Sequence, residues 1–205
     1  MALDNYANLR QVIKQWTHRE DIDAHSEDCI LESEQEMFYG NVPFRIYEMI
    51  AESITSESTK KIAYPSDMLE LIGLSIEVDG IYYRLNAVPK QKLPDNGETG
   101  CPSFYSMTSQ IELNVEPDQA YNFKFDYYLK PAALSDSNPT NIILQKYPLA
   151  YKFGSMASAF MYAGEEEKAN MYALRMRDTI AKANSDAENF LFGSMPSYII
   201  EGAIP

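Results

Sequence analysis

Two histidines, a nearby cysteine and a run of acids are the residues of this chain best suited to chemistry. His18, Asp21, Asp23 and His25 lie close together, and Cys29 follows four positions after His25. Imidazole and carboxylate are metal ligands, and a cysteine beside a histidine can serve as nucleophile and base. Neither set is complete. No third and fourth metal ligand lies nearby, and aspartates in such a place cap backbone amides in a solvated turn between helices, near a helix's positive N-terminal end. Cys29 falls on the apolar stripe of its own helix, where a thiol packs as a small hydrophobe. The chain has no Gly-rich phosphate loop, no G-x-S-x-G elbow, no H-E-x-x-H and no cysteine pair at zinc spacing. No catalytic residue, metal or cofactor is therefore expected. Tyr82, Tyr83, Tyr127 and Tyr128 can make a stacking platform for a sugar or a base. The plainer account puts alternating aromatics on the inner face of a sheet and the outer ones in subunit contacts.

The elements that would carry these residues follow from charge and periodicity. The chain of 205 residues has a formal charge of −13, and its surface cannot supply the electrostatic attraction on which nucleic-acid binding depends. Its start, MALDNYANLR, lacks a basic region followed by an apolar one, and Cys29 and Cys101 are far apart, so neither secretion nor a disulfide framework is expected. No run is apolar enough to span a bilayer. Tyr6, Leu9, Val12, Ile13 and Trp16 form one face of a helix over 5–16, with Asp4 or Asn5 as N-cap. A second helix follows Ser26, burying Cys29, Ile30, Ser33, Met37 and Phe38, and stops at Gly40-Asn41.

From 42 to 134 the period changes. Asp79-Gly80 between alternating runs predicts a tight hairpin, because both turn positions need φ > 0. Ile111, Leu113 and Val115, then Tyr121, Phe123, Phe125 and Tyr127, predict a second hairpin with a buried aromatic face, and 45–55 reads as a strand, although 45–50 could equally extend a helix. The prolines and glycines of 89–102, with Asp95, Asn96 and Gly97, mark a long loop. Helical period then returns: Asn138-Pro139 starts a short helix, Pro148 a second facing inward with Tyr151, Ala157, Phe160 and Met161, and Glu165-Glu166-Glu167 a last one. Gly154, Ser155, Ala157, Ser158 and Ala159 allow a neighbouring helix to approach closely. The predicted class is α+β: a helical bundle from residues 1–41 and 139–184, an inserted antiparallel β unit over 42–138, and an extended C-terminal docking tail over 185–205.

That tail carries Phe190, Leu191, Phe192, Tyr198, Ile199 and Ile200, while Gly193, Pro196 and Gly202 break any regular element. A disordered terminus would be polar and poor in aromatics, so these side chains call for a surface to bury against. A partner subunit is the expected surface, with 198–200 added to a sheet edge, the alternative being that the tail folds back on its own domain.

Several segments in order resemble the head-to-tail adaptor proteins of tailed bacteriophages, also called head completion or connector proteins. They are Trp16 with Arg19-Glu20-Asp21-Ile22, Tyr64-Pro65-Ser66-Asp67-Met68-Leu69-Glu70-Leu71 and Tyr127-Tyr128-Leu129-Lys130-Pro131-Ala132-Ala133-Leu134-Ser135. Asn141 to Leu144, Tyr147-Pro148-Leu149-Ala150-Tyr151 and the Ala-rich helix pair continue the likeness, which spans residues 5–184. One departure is Leu149, where the family usually has an acid after the proline. The resemblance implies a non-enzymatic virion protein at the head–tail junction, made in the bacterial cytoplasm. It also implies a homo-oligomeric ring, commonly a dodecamer, that docks under the portal protein, extends the DNA channel and carries tail or nozzle proteins. Genomic DNA only passes through its lumen, and no membrane is involved. An acidic lumen suits that role, because it repels the DNA backbone. The contact elements expected on physical grounds are the loop at Asn96 and Gly97 and the residues of the tail. Alternatives are a glycan-binding or other distal tail module, recognisable by dependence on Tyr82 or Tyr83, and a small hydrolase using Cys29 or His25.

Overall fold

Asn5 accepts a hydrogen bond from the Asn8 amide and so starts α1, Tyr6–Thr17, as its side-chain chemistry predicts. The computed structural model describes residues 3–19, 21–94 and 97–192. It divides into a helical unit, up to Glu48 and again from Pro131 on, and a β unit, Met49–Lys130. The architecture is α+β.

In the helical unit, α1 is followed by α2 (Ser26–Tyr39), α3 (Ile142–Lys146), α4 (Pro148–Tyr162) and α5 (Glu166–Phe192). Helix α4 packs against α1, α2, α3 and α5. The small residues of α4 permit this. A Cβ built on Gly154 would lie 2.0 Å from Ser33 Oγ on α2 and 2.7 Å from Met176 Sδ on α5. The stripes of α1 and α2 are buried as expected, with two corrections in the unit. Trp16 is 50% exposed, its ring lying under the Lys152 ammonium at 3.4 Å, and Met161 is 55% exposed.

Three boundaries differ from those predicted. Helix α3 is capped by Asn141, not Asn138, because the Pro139 carbonyl accepts the Tyr6 amide (2.7 Å) while Asn141 Oδ1 accepts that of Leu144. The segment 45–49 is not strand. The Asn184 side chain accepts from the Arg45 amide and donates to the Pro43 carbonyl, and a turn of 3-10 helix over Tyr47–Met49 follows. Helix α5 runs eight residues past Asn184, so the expected tail is helical as far as Phe192. Its buried stripe continues through Met176, Ile180, Ala183 and Ala187, which leaves no reason for the helix to stop at 184.

The β unit contains two four-stranded sheets. The first has the order β1 (Ile50–Glu57), β8 (Tyr121–Leu129), β3 (Met68–Val78), β4 (Ile81–Arg84), antiparallel throughout. The second has the order β2 (Lys61–Ile62), β7 (Ile111–Leu113), β6 (Phe104–Met107), β5 (Asn86–Ala87), with β5 and β6 parallel. Asp79 and Gly80 take φ of 53° and 79° and form the predicted hairpin between β3 and β4. The second predicted hairpin does not form, since β7 and β8 belong to different sheets. Asn114 Oδ1 accepts the Ser103 and Phe104 amides, and the Glu116 carbonyl accepts the Gly100 amide, so the chain leaving β7 is tied to its own sheet before crossing. Alternation identified the buried face correctly: Tyr121, Phe123, Phe125 and Tyr127 join Leu74, Ile76, Ile111 and Leu113 in one core.

Candidate assembly interface

The helical unit is fixed by a buried polar relay. Asn141 Nδ2 donates to Tyr151 Oη (2.7 Å), Tyr151 Oη donates to Glu34 Oε1 (2.8 Å), and the Leu134 amide donates to the same carboxylate oxygen (2.9 Å). Asn141 Nδ2 also reaches the Ala132 carbonyl at 3.0 Å. One network thus joins α2, α4, the N-cap of α3 and the chain returning from the β unit. Burial, and next the Glu34 charge, push the Tyr151 phenol well above its ordinary value, so it stays a neutral donor. Glu34 and Tyr151 are both buried, and a sealed carboxylate–phenol pair holds structure rather than meeting a substrate.

The residues considered for chemistry do not assemble. Burial raises the Cys29 thiol, which sits in the core without thiolate character. His25 pairs with Asp28 at 3.6 Å and packs on the Tyr162 ring at 4.6 Å. His18 takes φ 52° as the C-cap of α1. Among the described residues no three His, Cys, Asp or Glu side chains gather as a metal site, and no helix is long and apolar enough to cross a membrane.

The tyrosine platform is not formed either. Tyr82 and Tyr83 are consecutive on β4 and face opposite sides of the sheet, as do Tyr127 and Tyr128 on β8, and Tyr127 is buried. Tyr82 is level with Asn122, so Tyr128 lies six residues further along, roughly 20 Å at strand rise.

What the units do present is apolar surface. In the helical unit Phe190, 71% exposed, stacks on Tyr47 with centroids 4.7 Å apart. The two rings line a cleft of about 420 Å³ with Glu48, Lys146, Tyr147 and Asp186. Glu48 and Lys146 form an ion pair there. Burial opposes ionisation of Glu48, but hydrogen bonds from Lys146, its own backbone and Tyr47 outweigh that and hold the carboxyl below its usual range. Glu48 Oε2 is buried without a hydrogen-bond partner among the described residues. In the β unit, every residue of β4 is exposed, Ile81 by 57% and Tyr83 by 52%.

Of the contact residues predicted from sequence, Phe190 stands on the last turns of α5, and Leu191 and Phe192 continue that helix. Gly97, exposed at φ 67°, belongs to the β unit. Asn96, Tyr198, Ile199 and Ile200 lie outside the described residues. Tyr47, Glu48 and Lys146 were not singled out, and of β4 only Tyr82 and Tyr83 were, as a stacking platform or as outer aromatics in subunit contacts. The signal available for β4 was its composition, three large apolar residues beside an Asp-Gly turn.

A sealed polar centre with apolar surface on both units is what a structural component of an assembly requires. The model of a family described as SU10 adaptor protein matches residues 4–194, and the chain belongs to this family of phage structural adaptors. No curated protein matches the chain. The segments that resembled phage adaptors in the sequence supply Ala132, Leu134, Asn141 and Tyr151 to the polar relay, and Glu34 comes from α2.

Proposed function

We propose that this chain is the head-to-tail adaptor of a tailed phage virion, forming a homo-oligomeric ring, a dodecamer, beneath the portal protein. The ring extends the DNA channel and offers the platform on which tail or nozzle proteins attach. The observation that carries the proposal is Phe190, a large aromatic left 71% exposed at the end of a 27-residue helix, in a chain that matches an adaptor family. Full burial of such a side chain contributes about 1.5–3 kcal/mol, which a partner subunit would recover. The −13 charge supports the channel role, since acids facing the lumen repel the phosphate backbone and let DNA slide. Ring contacts are heterologous, so one face of each subunit complements a different face of the next. The residues assigned to contact are Phe190, Leu191, Phe192, Tyr198, Ile199 and Ile200, with the loop at Asn96 and Gly97.

Removing residues 190–205 tests this. The expected result is weaker assembly, by sedimentation, with cooperative melting retained. Loss of the cooperative transition would place these residues in the subunit's own core and end the docking role.

A further inference from the structure

We infer that β4 accepts a strand from a second copy of this chain, residues 198–201, in the cleft beside it; this rests on the docking role proposed above for the C-terminal segment. The outer side of an edge strand offers a row of backbone N–H and C=O groups, and proteins usually blunt such edges with charge, proline or a bulge. Four edges exist among the described residues. β2 and β5 have two residues each, and β1 carries Glu52 and Glu57. β4 is left open: Ile81, Tyr82 and Tyr83 are exposed, and its one charged residue is a cation, Arg84.

Beside β4 lies a cleft of about 330 Å³, lined by Ile76, Val78, Tyr83, Leu85, Cys101 and Pro102. Tyr83 is paired with Ile76 and Ile81 with Val78, so Ile81 and Tyr83 face the same side as the cleft. An added strand would place every second side chain there, gaining affinity from the backbone and specificity from the cleft.

The occupant is argued from the chain beyond Phe192. In residues 193–205 the stretch of high β propensity is Tyr198-Ile199-Ile200, followed by Glu201 and bounded by Pro196 and Gly202. Its length matches the four residues of β4. Glu201 is the only charged side chain in that segment, which Arg84 attracts and the acids of β1 repel. Five residues link Phe192 to Tyr198, six steps with an extended reach of roughly 20 Å. A strand handed from one copy to the next is a heterologous contact, which a closed ring repeats.

Cys101 supplies the test, because it is exposed and lines the cleft while Cys29 is buried. Tyr198→Cys, Ile199→Cys and Ile200→Cys are made singly in the full chain, which is mildly oxidised and run on denaturing gels without reductant. Disulfides form only between Cβ atoms about 3.5–4.5 Å apart, and strand side chains alternate. Arg84 stands on the face of β4 opposite Ile81 and Tyr83, so Glu201 beside it turns 199 away from the cleft. Positions 198 and 200 should therefore link to Cys101 of another copy several-fold more than 199, and Cys101→Ser should abolish the product. A preference for 199, equal yields at all three positions, a link within one chain, or no link to Cys101 overturns the inference. A chain ending at Phe192 separates the two failures. If it associates as well as the full chain, the docking role itself is wrong; if association weakens while Cys101 stays unlinked, the segment docks elsewhere and only the β4 assignment falls.

Discussion

At Tyr151 one hydroxyl holds three parts of the helical unit together, accepting from Asn141 and donating to Glu34, which in turn receives the Leu134 amide. Replacing Tyr151 with Phe strands buried partners on both sides, and a loss of about 1–3 kcal/mol is expected in denaturant unfolding. Glu34→Gln keeps an accepting oxygen and should cost less than Glu34→Leu. The same phenol sets an alkaline limit. Its folded value is raised, so its contribution is intact below the unfolded value of about 10 and is lost as pH climbs beyond it. Burial raises Tyr105 and Tyr6 in the same direction. A melting temperature that falls steeply above about pH 10, and less so in Tyr151→Phe, is the expected profile. This network was hidden in the sequence for identifiable reasons. Glu34 stands among Glu32 and Glu36 and looks like one more solvated acid, and Asn138-Pro139 is a stronger helix-start signal than Asn141. The exposed Trp16 was equally illegible, because periodicity gives the side of a helix but not where the neighbouring helix ends.

Among the elements, α4 depends on the absence of a side chain at Gly154. Gly154→Ala places a methyl against Ser33 Oγ and should destabilise by about 1–3 kcal/mol. Ser33 Oγ is buried and has no hydrogen-bond partner among the described residues. Ser33→Ala should thus be nearly neutral alone and should recover part of the loss in the double variant, a coupling that a double-mutant cycle measures. Small residues in a row signalled this close approach in advance, and Asp79-Gly80 fixed its hairpin because few other dipeptides fit two positive φ values. Strand partners were less legible. The alternation of β8 identified its buried face, but β7 and β8 are separated by contacts of Asn114 and Glu116 that no local pattern reveals. Helix α5 outran its expected end for a related reason: Phe190 onward looks apolar and irregular, whereas the alanines at 183 and 187 keep the stripe in register.

For the whole molecule, α+β class and family membership were legible, since both rest on the order of segments rather than on any single residue. Contact surfaces were only partly so, because exposure is a property of packing. With −13 charges per chain, copies repel one another except where apolar surface or paired charge meets, so assembly should tighten as salt rises over the range where screening lengths fall from about 30 to 10 Å. Sedimentation at several ionic strengths checks that sign. The most direct measurement is the native mass of the purified chain, alone and after mixing with the portal ring of the same phage. A small species that becomes a stoichiometric ring on the portal is the result expected of the adaptor. A chain that stays unbound at concentrations where both proteins are folded would contradict the proposed place beneath the portal.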